Sequence, residues 1–65
     1  MIEVNRENIL KALAVCERRL AELTKALFKQ IESGNCESAS KTLKEIRELE
    51  EKKSLLLKYL RRLEQ

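Results

Sequence analysis

The chain has 65 residues and a net charge of +3, and 38% of its residues are charged. It has no His, and all 11 acidic residues are Glu, so most hydrolytic triads and EF-hand calcium loops are excluded. The length allows one small domain. The absence of Pro, together with many Glu, Lys, Arg, Leu and Ala residues, is typical of long helices.

The first predicted helix covers about residues 5–33. Asn5 is its predicted N-cap, and Val4 and Ile9 have the spacing of a hydrophobic staple. Glu7 lies in the first turn, where the helix dipole favours an acidic side chain. The apolar seam alternates steps of four and three residues, as in a coiled coil. It consists of Ile9, Leu13, Cys16, Leu20, Leu23 and Leu27.

The one Gly of the chain predicts a turn at residues 34–35. Gly34 follows the end of the first periodic segment and is expected to adopt the left-handed conformation that ends many helices. Asn35 is the predicted cap of the second helix, with Ser38 or Ser40 as alternatives.

The second predicted helix covers about residues 36–64, and its seam again steps by four and three. This seam consists of Thr42, Ile46, Leu49, Lys53, Leu56, Leu60 and Leu63. Two helices of similar length around a short turn predict an all-α fold, an antiparallel coiled-coil hairpin that forms one domain over residues 1–65. The predicted layers pair Ile9 with Leu60, Leu13 with Leu56, Cys16 with Lys53, Leu20 with Leu49 and Leu23 with Ile46.

A continuous helix through Gly34, forming a long parallel dimer, is the competing architecture. A Gly inside a helix costs only about 1 kcal/mol, so the break is not compulsory. Residues 31–39 carry no seam as regular as those on either side, which favours the hairpin.

A hairpin of this size buries too little apolar surface for high stability alone, so self-association is expected. A dimer forming a four-helix bundle is the favoured assembly, with a helix of another protein as the alternative partner. The apolar residues beside the seams form the predicted interface: Leu10, Phe28, Ile31, Leu43 and Leu57.

Lys53 and the two cysteines are the unusual residues of the pattern. Lys53 occupies a seam position, where a polar residue can set the register of a coiled coil. Alternatively, its aliphatic stem lies in the core while its amine reaches water or a Glu. Cys16 is interpreted as a small core residue and Cys36 as an exposed thiol, and their separation along the hairpin excludes a bond between them.

The segment from residue 52 to residue 62 contains five cations and no acid. Lys52, Lys58, Arg61 and Arg62 are therefore candidate contacts to an anionic partner. Tyr59 is the only aromatic residue there, whereas nucleic-acid sites usually add stacking residues. A solvated helix face with cations favoured at the helix C-terminus is the competing interpretation, and a nucleic-acid-binding regulator stays a second hypothesis.

No pattern for catalysis, a cofactor or a metal occurs, so we expect no enzyme. The longest apolar run, residues 12–16, is far shorter than the roughly 20 residues of a membrane span. Two cysteines without an extracellular signature favour reduced thiols and a cytoplasmic protein.

Residues 12–20, ALAVCERRL, lie within a hairpin of the predicted length. This stretch resembles the small co-chaperones of type III secretion needle subunits. In that family a helical hairpin shields an aggregation-prone secreted helix, so the resemblance implies a chaperone-like protein that holds a partner helix. The residues themselves predict a self-associating adaptor or scaffold module without catalytic activity.

Overall fold

The computed structural model describes residues 5–64, which form two α-helices. Helix α1 covers Arg6–Glu32 and α2 covers Cys36–Glu64, and the two pack against each other along their length. No strand occurs in this described range. The molecule measures 46 × 22 × 14 Å, so it is a single layer of two helices. The predicted helical hairpin is confirmed, and the continuous helix is wrong because the chain reverses at Gly34.

Helix α1 begins where Asn5 caps it. The backbone of Asn5 is extended, at φ −131° and ψ 170°, and its side-chain oxygen accepts the backbone N–H of Asn8 at 2.9 Å. Its carbonyl accepts the backbone N–H of Ile9 at 3.1 Å. The predicted cap is therefore confirmed, with the helix proper starting one residue later. The hydrophobic staple requires Val4, which lies outside the described residues.

The turn satisfies the backbone groups of both helix ends. Gly34 has φ +74°, and its N–H donates to the carbonyl of Ile31 at 3.1 Å. The N–H of Asn35 donates to the carbonyl of Gln30 at 2.9 Å, which completes a Schellman motif. The Asn35 side chain then accepts the N–H of Ser38 at 3.2 Å. Asn35 therefore ends α1 and caps α2, and neither of the alternative serine caps is used.

The core is thin and belongs mainly to α1. Ile9 and Cys16 are the most buried described side chains, and each still exposes 4% of its surface. The only buried residues of α2 are Ala39 and Thr42, both near the turn. The α2 seam residues Ile46, Leu49, Lys53, Leu56 and Leu60 are only half-buried.

The last seam residue, Leu63, is 48% exposed, which differs from its predicted place inside the hairpin. It lies near the open end, which is the end that holds Arg6 and Glu64. Those two side chains form an ion pair at 3.3 Å. A polar contact therefore occupies the place where Leu63 would need an apolar partner. The seam of α2 therefore extends beyond the apolar cover that α1 provides.

Thr42 shows how a polar seam residue is buried without loss of hydrogen bonding. Its hydroxyl lies 2.7 Å from the side-chain oxygen of Gln30 and 3.0 Å from the carbonyl of Ser38, and it donates its hydrogen to this pair of acceptors. The contact to Gln30 joins the two helices next to the turn. Buried hydroxyls need such partners, so this bond fixes the register at that end.

Replacement of Gly34 tests the turn. Space is open around a Cβ at this position, so only the positive φ opposes a side chain. We expect Gly34→Ala to lower the free energy of unfolding by about 1 kcal/mol, because Ala is strained in the left-handed region. Urea denaturation at one fixed protein concentration measures the loss. Gly34→Asn is the matched control and should lose less, because Asn tolerates that region. Equal stability of wild type and Gly34→Ala would contradict the assigned turn.

Candidate interaction surfaces

Two ion pairs between the helices distinguish the two broad faces of the hairpin. On one face, Glu17 of α1 lies 3.6 Å from the amine of Lys53. On the other face, Arg19 of α1 lies 3.6 Å from Glu45 of α2. Glu17 and Arg19 occupy opposite edges of the α1 seam, because helix positions two residues apart are about 200° apart. Each face therefore combines one edge of α1 with one edge of α2.

The face with Glu17 carries all five residues of the predicted interface, and we call it the flank face. The exposed fractions of these side chains are Leu10 43%, Phe28 62%, Ile31 59%, Leu43 42% and Leu57 38%. Leu10 and Leu57 lie near the open end, and the other three lie near the turn. Between them the surface of α1 carries Ala14 and Ala21, both exposed. The flank face is therefore apolar at both ends, with small residues along α1 between them.

The face with Arg19 and Glu45 carries a second set of exposed apolar side chains, and we call it the groove face. Val15 is 65% exposed, Leu55 55% and Tyr59 49%. The interface predicted from the sequence omits these three residues. A signal for them exists in the spacing of α2, where Glu48, Lys52, Leu55, Tyr59 and Arg62 repeat the steps of four and three beside the main seam.

A shallow open cavity lies on the groove face, between the helices. Its volume is about 320 Å³, and it is lined by Arg19, Glu45, Glu48, Leu49 and Lys52. Arg19 is held there by Glu22 of its own helix at 3.5 Å and by Glu45 across the hairpin. The groove face is therefore concave and charged at mid-length, and apolar toward the open end.

The side chain of Lys53 begins in the seam and ends at the surface of the hairpin. Its amine reaches Glu17 at 3.6 Å, and its side chain is 35% exposed. This geometry agrees with the interpretation in which the aliphatic stem packs in the seam while the amine meets a Glu at the surface. Glu17 is 62% exposed, so solvent screens the pair and its contribution to stability is small.

The predicted anion-binding cations do not form one compact patch. Lys52 belongs to the groove face, whereas Lys58, Arg61 and Arg62 are spread around the exposed surface of α2. Successive helix positions are about 100° apart, so Arg61 and Arg62 leave the helix in different directions. Both lie in the last turn of α2, where cations interact favourably with the helix dipole.

The described residues offer little for metal or thiol chemistry. No group of three or more His, Cys, Asp or Glu side chains within residues 5–64 is placed to hold a metal ion. Cys16 is a buried free thiol, as predicted for a core residue, and Cys36 is an exposed one. Neither described helix contains a segment long and apolar enough to cross a lipid bilayer.

Comparisons with protein-family models, with curated proteins and with solved structures found no match to this chain.

Replacement of Lys53 tests its place in the seam. We expect Lys53→Leu to raise the free energy of unfolding by about 1 kcal/mol, because an apolar side chain packs at a seam position without desolvating a charge. Glu17→Gln is the matched control: it removes the ion pair, keeps the lysine stem, and should change stability by less than about 0.5 kcal/mol. Chemical denaturation at equal concentrations compares the three proteins. A less stable Lys53→Leu variant would mean that the amine has a specific role in the fold.

Proposed function

We propose that this chain is a non-catalytic protein–protein interaction module that self-associates through its flank face into a four-helix bundle, most simply a dimer. The observation that carries the proposal is the exposure of five large apolar side chains on that one face, from 38% at Leu57 to 62% at Phe28. Several large exposed apolar side chains on one face of a small domain are typical of an interaction site.

The exposed area supports this proposal. The chain exposes 5,596 Å², whereas a folded monomer of 7.6 kDa exposes roughly 4,300 Å². The excess of roughly 1,300 Å² is larger than the roughly 800 Å² that each partner buries in a stable interface of standard size. A second copy therefore has enough surface to cover, and it would widen the single layer into a bundle with a central core.

The layout of the flank face suits a symmetric contact. In a two-fold dimer the same surface is used by both copies, so each part of the face must find a complementary part on its partner. Both ends of the face are apolar. Two aligned hairpins therefore bring apolar residues together whether they pack parallel or antiparallel to each other. Ala14 and Ala21 have small side chains that let the partner helix approach α1 closely.

Two charged residues of this face are already paired with each other. Glu17 and Lys53 already form a pair, so a partner covering them would bury no isolated charge on their account. Both members belong to the same hairpin and are partly solvated, so the pair contributes little to affinity. We therefore assign affinity to the apolar ends of the face.

A helix of another protein could occupy the flank face instead, which would be the co-chaperone function. The second copy is favoured because one two-fold contact covers both apolar ends at once. A nucleic-acid-binding regulator has weaker support, since the cations of α2 are spread around the helix. Its binding would fall steeply with salt, whereas apolar packing would not.

Two charge substitutions test the proposed interface. We expect Phe28→Glu with Leu43→Glu to leave the chain helical and to weaken self-association at least about 100-fold, because each forces an unpaired charge into an apolar contact. Sedimentation equilibrium over a wide concentration range measures the association constant, and circular dichroism measures the helix content.

The matched control is Val15→Glu with Leu55→Glu, which places the same charges at similarly exposed positions of the groove face. This variant should associate like wild type. Equal loss of association in both double variants would contradict the assignment to the flank face. A wild-type chain that is folded and monomeric at micromolar concentration would contradict self-association itself.

A further inference from the structure

The edge of α1 on the flank face forms a second seam, beside the one that packs on α2. Its positions again alternate steps of four and three residues, as in a coiled coil. They are Leu10, Ala14, Glu17, Ala21, Thr24, Phe28 and Ile31. All of them are exposed in the hairpin, and all but Glu17 and Thr24 are apolar. Helix α1 therefore carries an uncovered apolar stripe along most of its length.

The two polar members of this second seam already have partners within the hairpin. The hydroxyl of Thr24 donates to the carbonyl of Leu20 at 2.8 Å, so a covering helix would leave it hydrogen-bonded. Glu17 lies 3.6 Å from the amine of Lys53. Neither residue would become an isolated polar group under a partner that packs on α1.

The edge of α2 on the same face is mostly polar. The equivalent positions are Leu43, Arg47, Glu50, Ser54, Leu57, Arg61 and Glu64. Arg47, Glu50 and Arg61 form no ion pair within residues 5–64. An apolar helix packed on this edge would take these unpaired charges out of water, which is costly. The apolar contact of a dimer is therefore better made by α1 than by α2.

We propose that the dimer is built on an antiparallel contact between α1 of one copy and α1 of the second copy. This inference rests on the proposed self-association through the flank face and specifies which helices meet in it. In an antiparallel pair the two kinds of seam position face each other, as they do in the predicted layers of the hairpin itself. One register then opposes Leu10 to Phe28, Ala14 to Thr24 and Glu17 to Ala21.

This register matches side-chain size along the contact. Large apolar residues, Leu10 and Phe28, meet at both ends, because each pair occurs twice about a two-fold axis. Small residues lie between them, so the two helices can approach closely at mid-length. A parallel pair of α1 helices would instead place Glu17 opposite Glu17 of the second copy, and such like-charge contacts are unfavourable.

The same two-fold axis brings opposite charges of the α2 edges together. The centre of the α1 pair lies near Arg19, which lines the same cavity as Leu49 of α2. Arg47 and Glu50 are within one turn of that level, so Arg47 of each copy can reach Glu50 of the other. If α1 packed on α2 of the second copy, these charges would face apolar or small side chains of α1 instead. The α1 pair therefore satisfies both edges of the flank face.

Distances between spin labels on the two copies test the orientation. Labels are placed singly on the outer side of α1, away from the contact, by Lys11→Cys, Arg18→Cys and Lys25→Cys. The background is Cys36→Ser, which keeps the buried Cys16 and should take up no label without an added cysteine. Pulsed electron paramagnetic resonance then measures the distance between equivalent residues of the dimer.

In the antiparallel pair the label distance should be shortest at residue 18 and longer toward both ends. Along the helix axis, equivalent residues should be offset by about 3 Å at position 18, about 18 Å at position 25 and about 24 Å at position 11. A two-fold axis parallel to the helices would give one distance at all three positions.

A larger side chain at the centre of the contact tests the close approach of the two α1 helices. Ala21→Leu adds apolar surface, yet it should weaken self-association at least about tenfold, because it overpacks the pair. Ser54→Leu is the matched control on the α2 edge of the same face, and it should associate no more weakly than wild type. Sedimentation equilibrium measures both constants, and circular dichroism verifies that the helices are kept.

The outcomes separate this inference from the proposed function. Equal label distances at residues 11, 18 and 25, or an Ala21→Leu variant that associates as tightly as wild type, would overturn the α1 pair and leave the dimer standing. A wild-type chain that sediments as a monomer, with no distance between labels, would overturn both.

Discussion

Each helix of this hairpin has only one neighbour, and one neighbour cannot cover the apolar arc that each helix carries. A two-helix contact covers a narrow seam, whereas the apolar positions here extend to both sides of it. This constraint explains the thin core, in which even Ile9 and Cys16 keep 4% exposure. It also explains why α2, with Leu55, Leu57 and Tyr59 pointing to different sides, is less buried than α1.

Because one neighbouring helix leaves apolar residues uncovered on both sides of the seam, the hairpin has two exposed faces, and their properties differ. The flank face has apolar residues at both ends and an ion pair that is already complete, so it suits a copy of itself. The groove face carries the exposed apolar residues Val15, Leu55 and Tyr59 and a charged cavity between the helices.

Features set by local sequence could be predicted, and features set by distant contacts could not. Asn5, Gly34 and Asn35 act within one helical turn of their own position, so their roles as cap, left-handed residue and cap follow from residue type and spacing. Burial depends on what lies across the hairpin. Ala39 is buried although its neighbourhood has little periodicity, and Leu63 is exposed although it continues the seam. The groove-face residues do not follow from the seams alone, because they lie beside them, and only the antiparallel pairing puts Val15 of α1 and Leu55 of α2 on the same face.

The dependence of thermal stability on protein concentration tests the central claim most directly. If the layer is completed by a second copy, folding and association are linked, and mass action raises the unfolding temperature as concentration increases. We predict that the Tm of the wild-type chain rises steadily from micromolar to millimolar concentration, with the sedimenting mass shifting from monomer toward dimer over the same range. A Tm independent of concentration, together with a monomeric mass throughout, would contradict the account.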